Sequence, residues 1–158
     1  KLAEAAAIYW KKEKPALLLL HFADTDSVGH QIGWDTPEFL AALARVDRAI
    51  GQMQRAVVES GLAGSTLLIV TADHGGTGKT HGDDIPEHRN IPWIAHGVGV
   101  KAGTAISEPV STLDTAATTL WALGQSAPKE WTGRVVREAF VSGKPAVRKA
   151  SEKTSRTK

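Results

Sequence analysis

The chain has 158 residues, 42% of them hydrophobic, which suits one ordinary globular domain. It has no cysteine, which excludes disulfides and thiolate metal ligands, and it has no apolar run of membrane-spanning length. The pI near 9.0 comes from residues 143–158, where six basic residues oppose one acidic residue and give a net charge of +5. The remaining residues carry 13 basic and 16 acidic side chains, a net charge of −3, so we expect no nucleic-acid partner for the folded part.

The first two predicted elements are a helix and a buried strand. Residues 1–13 combine alanine, leucine, lysine and glutamate with apolar side chains spaced for one helical face. Pro15 ends this helix, and residues 16–22, which contain four successive leucines, predict a strand buried in a sheet. A polar loop, residues 23–35, follows. Because the chain starts at Lys1 directly in helix-like sequence, we expect it to be the downstream part of a longer protein.

A long helix and a second buried strand come next. Thr36, followed by proline, is a helix N-cap signal, and the apolar residues keep a helical period as far as Gly61. The apolar run 65–70 then predicts a strand buried on both faces. Strand, loop, helix and strand form a crossover unit, so the two strands should be parallel. The loops that contain Asp26 and Asp73 are therefore expected to meet at the edge of the sheet where ligands bind.

The last third of the chain contains a charged loop, a short strand and one more helix. Residues 75–90 are glycine-rich and have no period, which is typical of a functional or disordered loop. Residues 91–95 predict a short strand that either lies at an edge of the sheet or begins with its proline. A capping box at Ser111 opens the final helix, which should end at Gly124. Beyond Phe140 we expect disorder.

Five side chains that bind borderline metal ions lie on the two loops. The first loop carries Asp26 and His30. The second carries Asp73 and His74, and His81 follows seven residues later. Imidazole nitrogen and carboxylate oxygen are zinc ligands, whereas an all-oxygen calcium site would not need three histidines. Because five ligands exceed what one tetrahedral ion needs, we infer two ions, an arrangement that suits displacement at phosphorus. The alternative for Asp73 and His74 is a turn residue followed by a hydrogen-bonded histidine.

Other polar residues of these loops have more than one interpretation. His88 is the alternative third ligand if His81 does not bind. His21, inside the first predicted strand, is expected to be a core histidine, or one that hydrogen-bonds to a metal ligand, rather than a ligand itself. Lys79 and Arg89 are candidates for binding a substrate phosphate, although solvated loop charges are the commoner case.

The order and spacing of these motifs resemble the alkaline phosphatase superfamily, most of all its type I phosphodiesterase/nucleotide pyrophosphatase branch, over residues 15–133. This resemblance implies a three-layer α/β/α fold with a mostly parallel sheet. Residues 1–142 would form the C-terminal part of the catalytic domain, and residues 143–158 a basic, disordered tail. The motifs that carry the resemblance are His21-Phe22, Asp26-x-x-Gly29-His30, Val46-Asp47 with Ile50-Gly51, Thr71-Ala72-Asp73-His74-Gly75-Gly76, His81-Gly82, Ile91-Pro92-Trp93-Ile94, Asp114-Thr115-Ala116-Ala117 and Leu123-Gly124.

The resemblance also implies a ligand set and an activity. Asp26, His30 and His81 would hold one Zn²⁺, and Asp73 and His74 a second, with Mn²⁺ or another divalent ion as the alternative. The substrate would be a small phosphate ester, cleaved after attack of a threonine or serine hydroxyl on phosphorus. Neither that nucleophile nor a further aspartate of the second site matches this sequence, so we expect the chain alone to be inactive. The resemblance favours action outside the cytoplasm and specifies no oligomeric state.

Three other functions remain open from the sequence. A sulfatase and a cofactor-independent phosphoglycerate mutase share the same metal framework, and a non-catalytic metal-binding scaffold would keep the fold without the nucleophile. The residue in the nucleophile position of the upstream sequence would separate these alternatives.

Overall fold

The computed structural model describes residues 1–141, 143 and 145–147, in which helices and strands are mixed as predicted for an α/β chain. Most of the predicted basic tail, residues 143–158, lies outside the described residues, so its disorder stays a prediction. None of the described helices combines the length and the apolar character that crossing a membrane requires. The helices and strands are α1 (Leu2–Glu13), α2 (Asp24–Gln31), α3 (Pro37–Glu59), β1 (Leu67–Thr71), α4 (Pro86–Arg89), β2 (Trp93–Gly97) and α5 (Thr112–Ala122), with 3-10 turns at Ala63–Ser65 and Arg137–Ala139.

Helices α1 and α3 confirm the first and the longest predicted helix, and they pack against each other. The N-cap is the predicted one, because Thr36 Oγ1 accepts a hydrogen bond from Phe39 N at 3.2 Å. Between the helices, Trp10 and Met53 lie in one buried cluster with alanines from both. The indole of Trp10 donates to Ser60 Oγ at 3.1 Å, at the end of α3. Alanine at the contact lets the two helices approach closely, and large apolar side chains fill the remaining space.

The predicted strand at residues 16–22 is wrong for the described structure. This segment follows α1 without belonging to a helix or strand, and none of its described residues joins a backbone hydrogen bond to another segment. Its side chains nevertheless alternate as in a strand. Leu18 and Leu20 pack on the α1–α3 cluster, whereas Leu17 is 58% exposed and Leu19 is 88% exposed. The segment is therefore extended and has one apolar face covered, but it lacks the neighbouring strand that would pair with it.

The described sheet has two antiparallel strands, so the predicted parallel pair and the mostly parallel sheet are not found in it. Leu67 in β1 lies opposite Gly97 in β2, and Thr71 lies opposite Trp93. The predicted parallel partner of β1 was residues 16–22, which form no described strand, so that pair is absent from the described residues. Residues 72–92 instead turn back beyond the end of β1, with only the four-residue helix α4 between the strands, and β2 pairs with β1 in the antiparallel direction.

A second core cluster joins the sheet to α5 and to the residues that follow it. Val136 and Phe140 are buried there, in contact with Leu67 and Trp93 from the strands and with Trp121 from α5. The capping box predicted at the start of α5 is confirmed, since Ser111 and Asp114 make both reciprocal hydrogen bonds. Asp114, only 5% exposed, accepts from Ser111 N at 2.9 Å and from Arg134 N at 2.7 Å. The buried carboxylate of Asp114 therefore connects the start of α5 to the segment that contains Arg134.

We predict that Asp114→Ala destabilises the fold by about 2 to 3 kcal/mol, because it removes the cap and leaves two backbone N–H groups without their acceptor. The measurement is the free energy of unfolding from urea denaturation followed by circular dichroism. Asp47→Ala, an exposed aspartate of α3, is the matched control and should change stability little. Equal stability of the two variants would contradict this account of Asp114.

We also predict an acid-dependent contribution from Glu138. Its contact with Arg134, 2.8 Å between Nη2 and Oε1, lowers the pKa of this carboxyl from the usual 4.5. A carboxyl with a lowered pKa stabilises the folded state above its ordinary pKa and loses that contribution as the pH falls through the lowered value. Wild-type protein should therefore lose more stability than Glu138→Gln between about pH 6 and about pH 3. Denaturation curves at several pH values measure this difference, and parallel declines would contradict it.

Candidate metal centre

Asp26 and His30 lie one turn apart on α2, a helix that replaces the predicted loop. Their spacing of four residues puts both side chains on the same helical face. Asp24 and Asp26 occupy the first turn, where carboxylates interact favourably with the helix dipole, and this signal was available in the sequence. The helix was missed because Val28 is its one aliphatic side chain, so it has no hydrophobic period.

Asp73, His74 and His81 lie on the segment that follows β1. The strand ends at Thr71, and the chain then makes a tight turn in which Thr77 and Thr80 exchange backbone hydrogen bonds of 3.0 and 3.1 Å. This turn returns the chain toward the end of β1. It brings the imidazole of His81 onto that of His74, with ring centroids 3.7 Å apart and planes 11° apart.

Three of the five predicted ligands come within mutual reach. Asp26, His30 and His81 each offer one ligand atom, and these atoms all lie within 4.8 Å of one another. His81 Nε2 lies 3.1 Å from His30 Nε2, and His30 Nε2 lies 3.5 Å from Asp26 Oδ1. The two loops therefore meet as expected, although a parallel pair of strands is not what brings them together.

The other two predicted ligands lie at the side of this cluster. His74 Nε2 is 3.8 Å from Asp26 Oδ1 and 3.7 Å from Asp73 Oδ2. The side chain of Asp73 is 78% exposed, whereas that of His74 is 26% exposed. His74 thus lies near both Asp26 and Asp73, and the side chain of Asp73 faces solvent.

Backbone carbonyls orient two of the imidazoles. His30 Nδ1 lies 3.1 Å from Lys79 O, and His74 Nδ1 lies 2.8 Å from Gly75 O. A carbonyl oxygen only accepts, so in each neutral ring Nδ1 carries the proton and donates. Each Nε2 then keeps its lone pair and faces the cluster, which is the arrangement found in metal-binding histidines whose other nitrogen is hydrogen-bonded.

The residues present fit a divalent cation. Asp26 Oδ1 is buried and has no hydrogen-bond partner, which is an unfavourable state for a carboxylate oxygen. A cation beside this oxygen would compensate it, and the imidazole nitrogens around it would complete the coordination. A set of imidazoles with carboxylate suits zinc, and it also accepts manganese and other divalent transition metals.

The glycines after His74 serve close packing rather than unusual backbone angles. Neither Gly75 nor Gly76 has a positive φ. A Cβ on Gly75 would lie 2.0 Å from Glu87 O, and a Cβ on Gly76 would lie 2.2 Å from Cε2 of Trp34. Trp34 is a site neighbour that the sequence did not reveal, because nothing in its spacing connects it to the ligands.

The two predicted phosphate-binding cations make other contacts. Lys79 Nζ donates to Gln31 O at 2.8 Å and so caps the end of α2. Arg89 Nη1 forms an exposed ion pair with Asp84 Oδ1 at 2.8 Å. Phosphate binding by either residue stays a prediction.

The two alternative histidines lie outside the cluster. His88, the alternative third ligand, is 3% exposed, and its Nδ1 contacts the backbone of Asp83. The carbonyl of His88 accepts from Gly75 N at 2.7 Å, which ties α4 to the ligand-bearing segment. His21 is exposed, so its prediction as a core histidine is wrong.

Comparisons with known proteins find one matching family model and curated relatives of more than one kind. Residues 1–93 match the family described as Type I phosphodiesterase / nucleotide pyrophosphatase. The chain is 32% identical over 83 residues to ectonucleotide pyrophosphatase/phosphodiesterase family member 7 of Homo sapiens, which covers 51% of this chain and 18% of that protein. It is 33% identical over 138 residues to 2,3-bisphosphoglycerate-independent phosphoglycerate mutase of Haloarcula marismortui, which covers 84% of this chain and 25% of the mutase. In each of these two pairs the chain spans a quarter or less of the relative.

We predict that His30 and His74 are both protonated on Nδ1 when neutral, because a backbone carbonyl accepts from that nitrogen in each ring. Long-range ¹⁵N–¹H correlation spectra of the metal-free protein distinguish the two tautomers. The exposed His21 is the control and should show the Nε2–H form that a free imidazole favours. An Nε2–H signal from His30 would contradict the orientation described here.

Proposed function

Because the chain belongs to the type I phosphodiesterase/nucleotide pyrophosphatase family, within the alkaline phosphatase superfamily, we propose that it supplies the metal centre of a hydrolase of small phosphate esters. The observation that carries the proposal is the meeting of Asp26, His30 and His81 around a buried carboxylate oxygen without a hydrogen-bond partner. Family membership supplies the reaction class, and the donor atoms supply the kind of ion.

In this proposal the centre holds two divalent ions, most simply zinc. Asp26, His30 and His81 bind the first, and Asp73 and His74 bind the second. The contact of His74 Nε2 with oxygens of both Asp26 and Asp73 fits a position between the two sets.

In this proposal, residues of this chain orient the imidazole rings and supply the negative charge of the site. Bound divalent ions would supply Lewis acidity toward the phosphoryl oxygens. Asp26 contributes the carboxylate nearest to the imidazoles, and the carbonyls of Lys79 and Gly75 hold two of the rings with Nε2 directed into the cluster. The hydroxyl nucleophile and a further aspartate are assigned, in this proposal, to sequence outside these 158 residues.

We also propose that the whole protein has the three-layer fold with a mostly parallel sheet. The extended segment 16–22 supports this, because its side chains alternate and its backbone has no described partner segment. A strand added along it would pair with its backbone, and a helix packed on the outer face of the sheet would cover Leu17 and Leu19, both exposed here. The extracytoplasmic location stays a prediction.

A second candidate function is the phosphoglycerate mutase reaction. The alignment with the Haloarcula marismortui mutase covers 84% of this chain, against 51% for the human phosphodiesterase relative. The two activities differ in what accepts the phosphoryl group: water in hydrolysis, and a second hydroxyl of the glycerate in the mutase. Assays of the longer protein with a chromogenic phosphodiester and with 3-phosphoglycerate distinguish them.

We predict that the chain binds zinc and that Asp26→Ala weakens binding by several kcal/mol, out of roughly 10 to 16 kcal/mol for structural zinc sites. Competition titration against a chelator measures the affinity. Asp47→Ala is the matched control, since it removes an exposed carboxylate far along α3 from the cluster. Unchanged affinity in Asp26→Ala would remove the first site from the proposal.

We predict that the chain alone does not hydrolyse a chromogenic phosphodiester, because it lacks the hydroxyl nucleophile. The longer protein should hydrolyse it, and Asp26→Ala in that protein should abolish the activity. Zinc-dependent turnover by the isolated chain that disappears in Asp26→Ala would show that the additional nucleophile is not needed. Turnover in the longer protein that survives Asp26→Ala would overturn the proposed role of the centre.

A further inference from the structure

Trp34 lies where the two ligand-bearing segments touch. It follows the end of α2 by three residues, and its backbone N–H donates to Gly78 O at 2.8 Å. The preceding residue, Gly33, has φ +130°, and a Cβ there would lie 3.1 Å from the same carbonyl. The chain therefore passes close to the turn between His74 and His81 before α3 begins.

The indole of Trp34 fits against a glycine of each segment. A Cβ on Gly29, beside His30, would lie 2.6 Å from ring atoms of Trp34. A Cβ on Gly76, two residues after His74, would lie 2.2 Å from Cε2 and 2.5 Å from Nε1. Real Cβ atoms do not approach ring atoms this closely, so each position needs a glycine as long as the indole keeps its place.

The same indole contacts the two histidines whose nitrogens lie closest together. His30 meets it edge-on, with ring centroids 5.3 Å apart and planes 84° apart. His81 meets it at 6.1 Å and 65°, and Phe39 in the first turn of α3 lies behind it at 6.1 Å. Edge-to-face contacts at these distances are favourable and restrict how the imidazoles can rotate.

We propose that Trp34 is a positioning residue that fixes the rings of His30 and His81 relative to each other, and so sets the affinity and coordination geometry of the metal centre. This inference rests on the proposed function. The backbone contacts between the segments, such as that of His30 Nδ1 with Lys79 O, do not involve the indole. The loops can therefore stay together without the indole, while the ring planes lose the surface that orients them.

The experiment compares Trp34→Ala, Trp34→Phe and Trp131→Ala in the 158-residue chain. Trp131, 45% exposed and located after α5, is the matched control for loss of an indole. Zinc affinity is measured by chelator competition, and the visible absorption of bound Co²⁺ reports coordination geometry. We expect Trp34→Ala to bind zinc about 10 to 100 times more weakly, the range for loss of a group that orients ligands, with an altered Co²⁺ spectrum. Trp34→Phe should recover most of the affinity, and Trp131→Ala should match wild type.

Gly76→Ala is the complementary variant, because it displaces the indole while Trp34 is still present. It should reproduce the weak binding and altered spectrum of Trp34→Ala, and it replaces that variant if circular dichroism shows that Trp34→Ala does not fold. If the folded variants bind zinc and Co²⁺ as wild type does, the positioning role is wrong and the metal centre stands. If wild-type protein binds neither ion, the proposed function itself is wrong.

Discussion

The site depends on a short set of hydrogen bonds to backbone carbonyl groups, which join two segments far apart in sequence. Trp34 N donates to Gly78 O, His30 Nδ1 donates to Lys79 O, and Lys79 Nζ donates to Gln31 O. All three link the end of α2 to the same turn, which also carries His81. Since the described sheet contains β1 but no strand leading into α2, these local bonds, rather than strand pairing, set the distance between the two halves of the candidate metal centre.

The two core clusters support the two sides of this junction separately. The α1–α3 cluster, around Trp10 and Met53, supports α2 through its packing on α3. The cluster around Val136 and Phe140 supports the strands, and through β1 it fixes the start of the segment that bears Asp73 and His74. The two segments that carry the candidate ligands thus rest on different core clusters.

Local signals in the sequence predicted much of this structure. Proline and threonine at the start of α3, and the capping box of α5, marked helix ends because capping depends on neighbouring residues alone. Strands β1 and β2 were located, but the strand predicted at residues 16–22 is not formed, since its backbone has no described partner segment. Helix α2 was not predicted, because the side chains that make its contacts do not follow a hydrophobic period.

The candidate ligands were predictable because each lies in a short motif that contains a glycine. The residues that pack around them were not predictable. Trp34 is joined to Gly29 and Gly76 by contacts that only the folded chain reveals. His88 was a candidate ligand by residue type and spacing. In the structure it is buried, and its Nδ1 contacts the backbone of Asp83. Sequence thus identifies the donor atoms, and tertiary packing decides which of them converge.

The extended segment after α1 has a consequence for how the chain behaves in solution. Its backbone donors and acceptors lack a described partner, and Leu19 presents an 88% exposed aliphatic side chain next to Leu17. An open edge with apolar side chains is a template on which another extended chain can add, and no charged residue interrupts residues 15–20. Purified at high concentration, the chain should therefore self-associate through this edge. Leu19→Lys should keep it monomeric, because a charged side chain on the edge opposes this pairing.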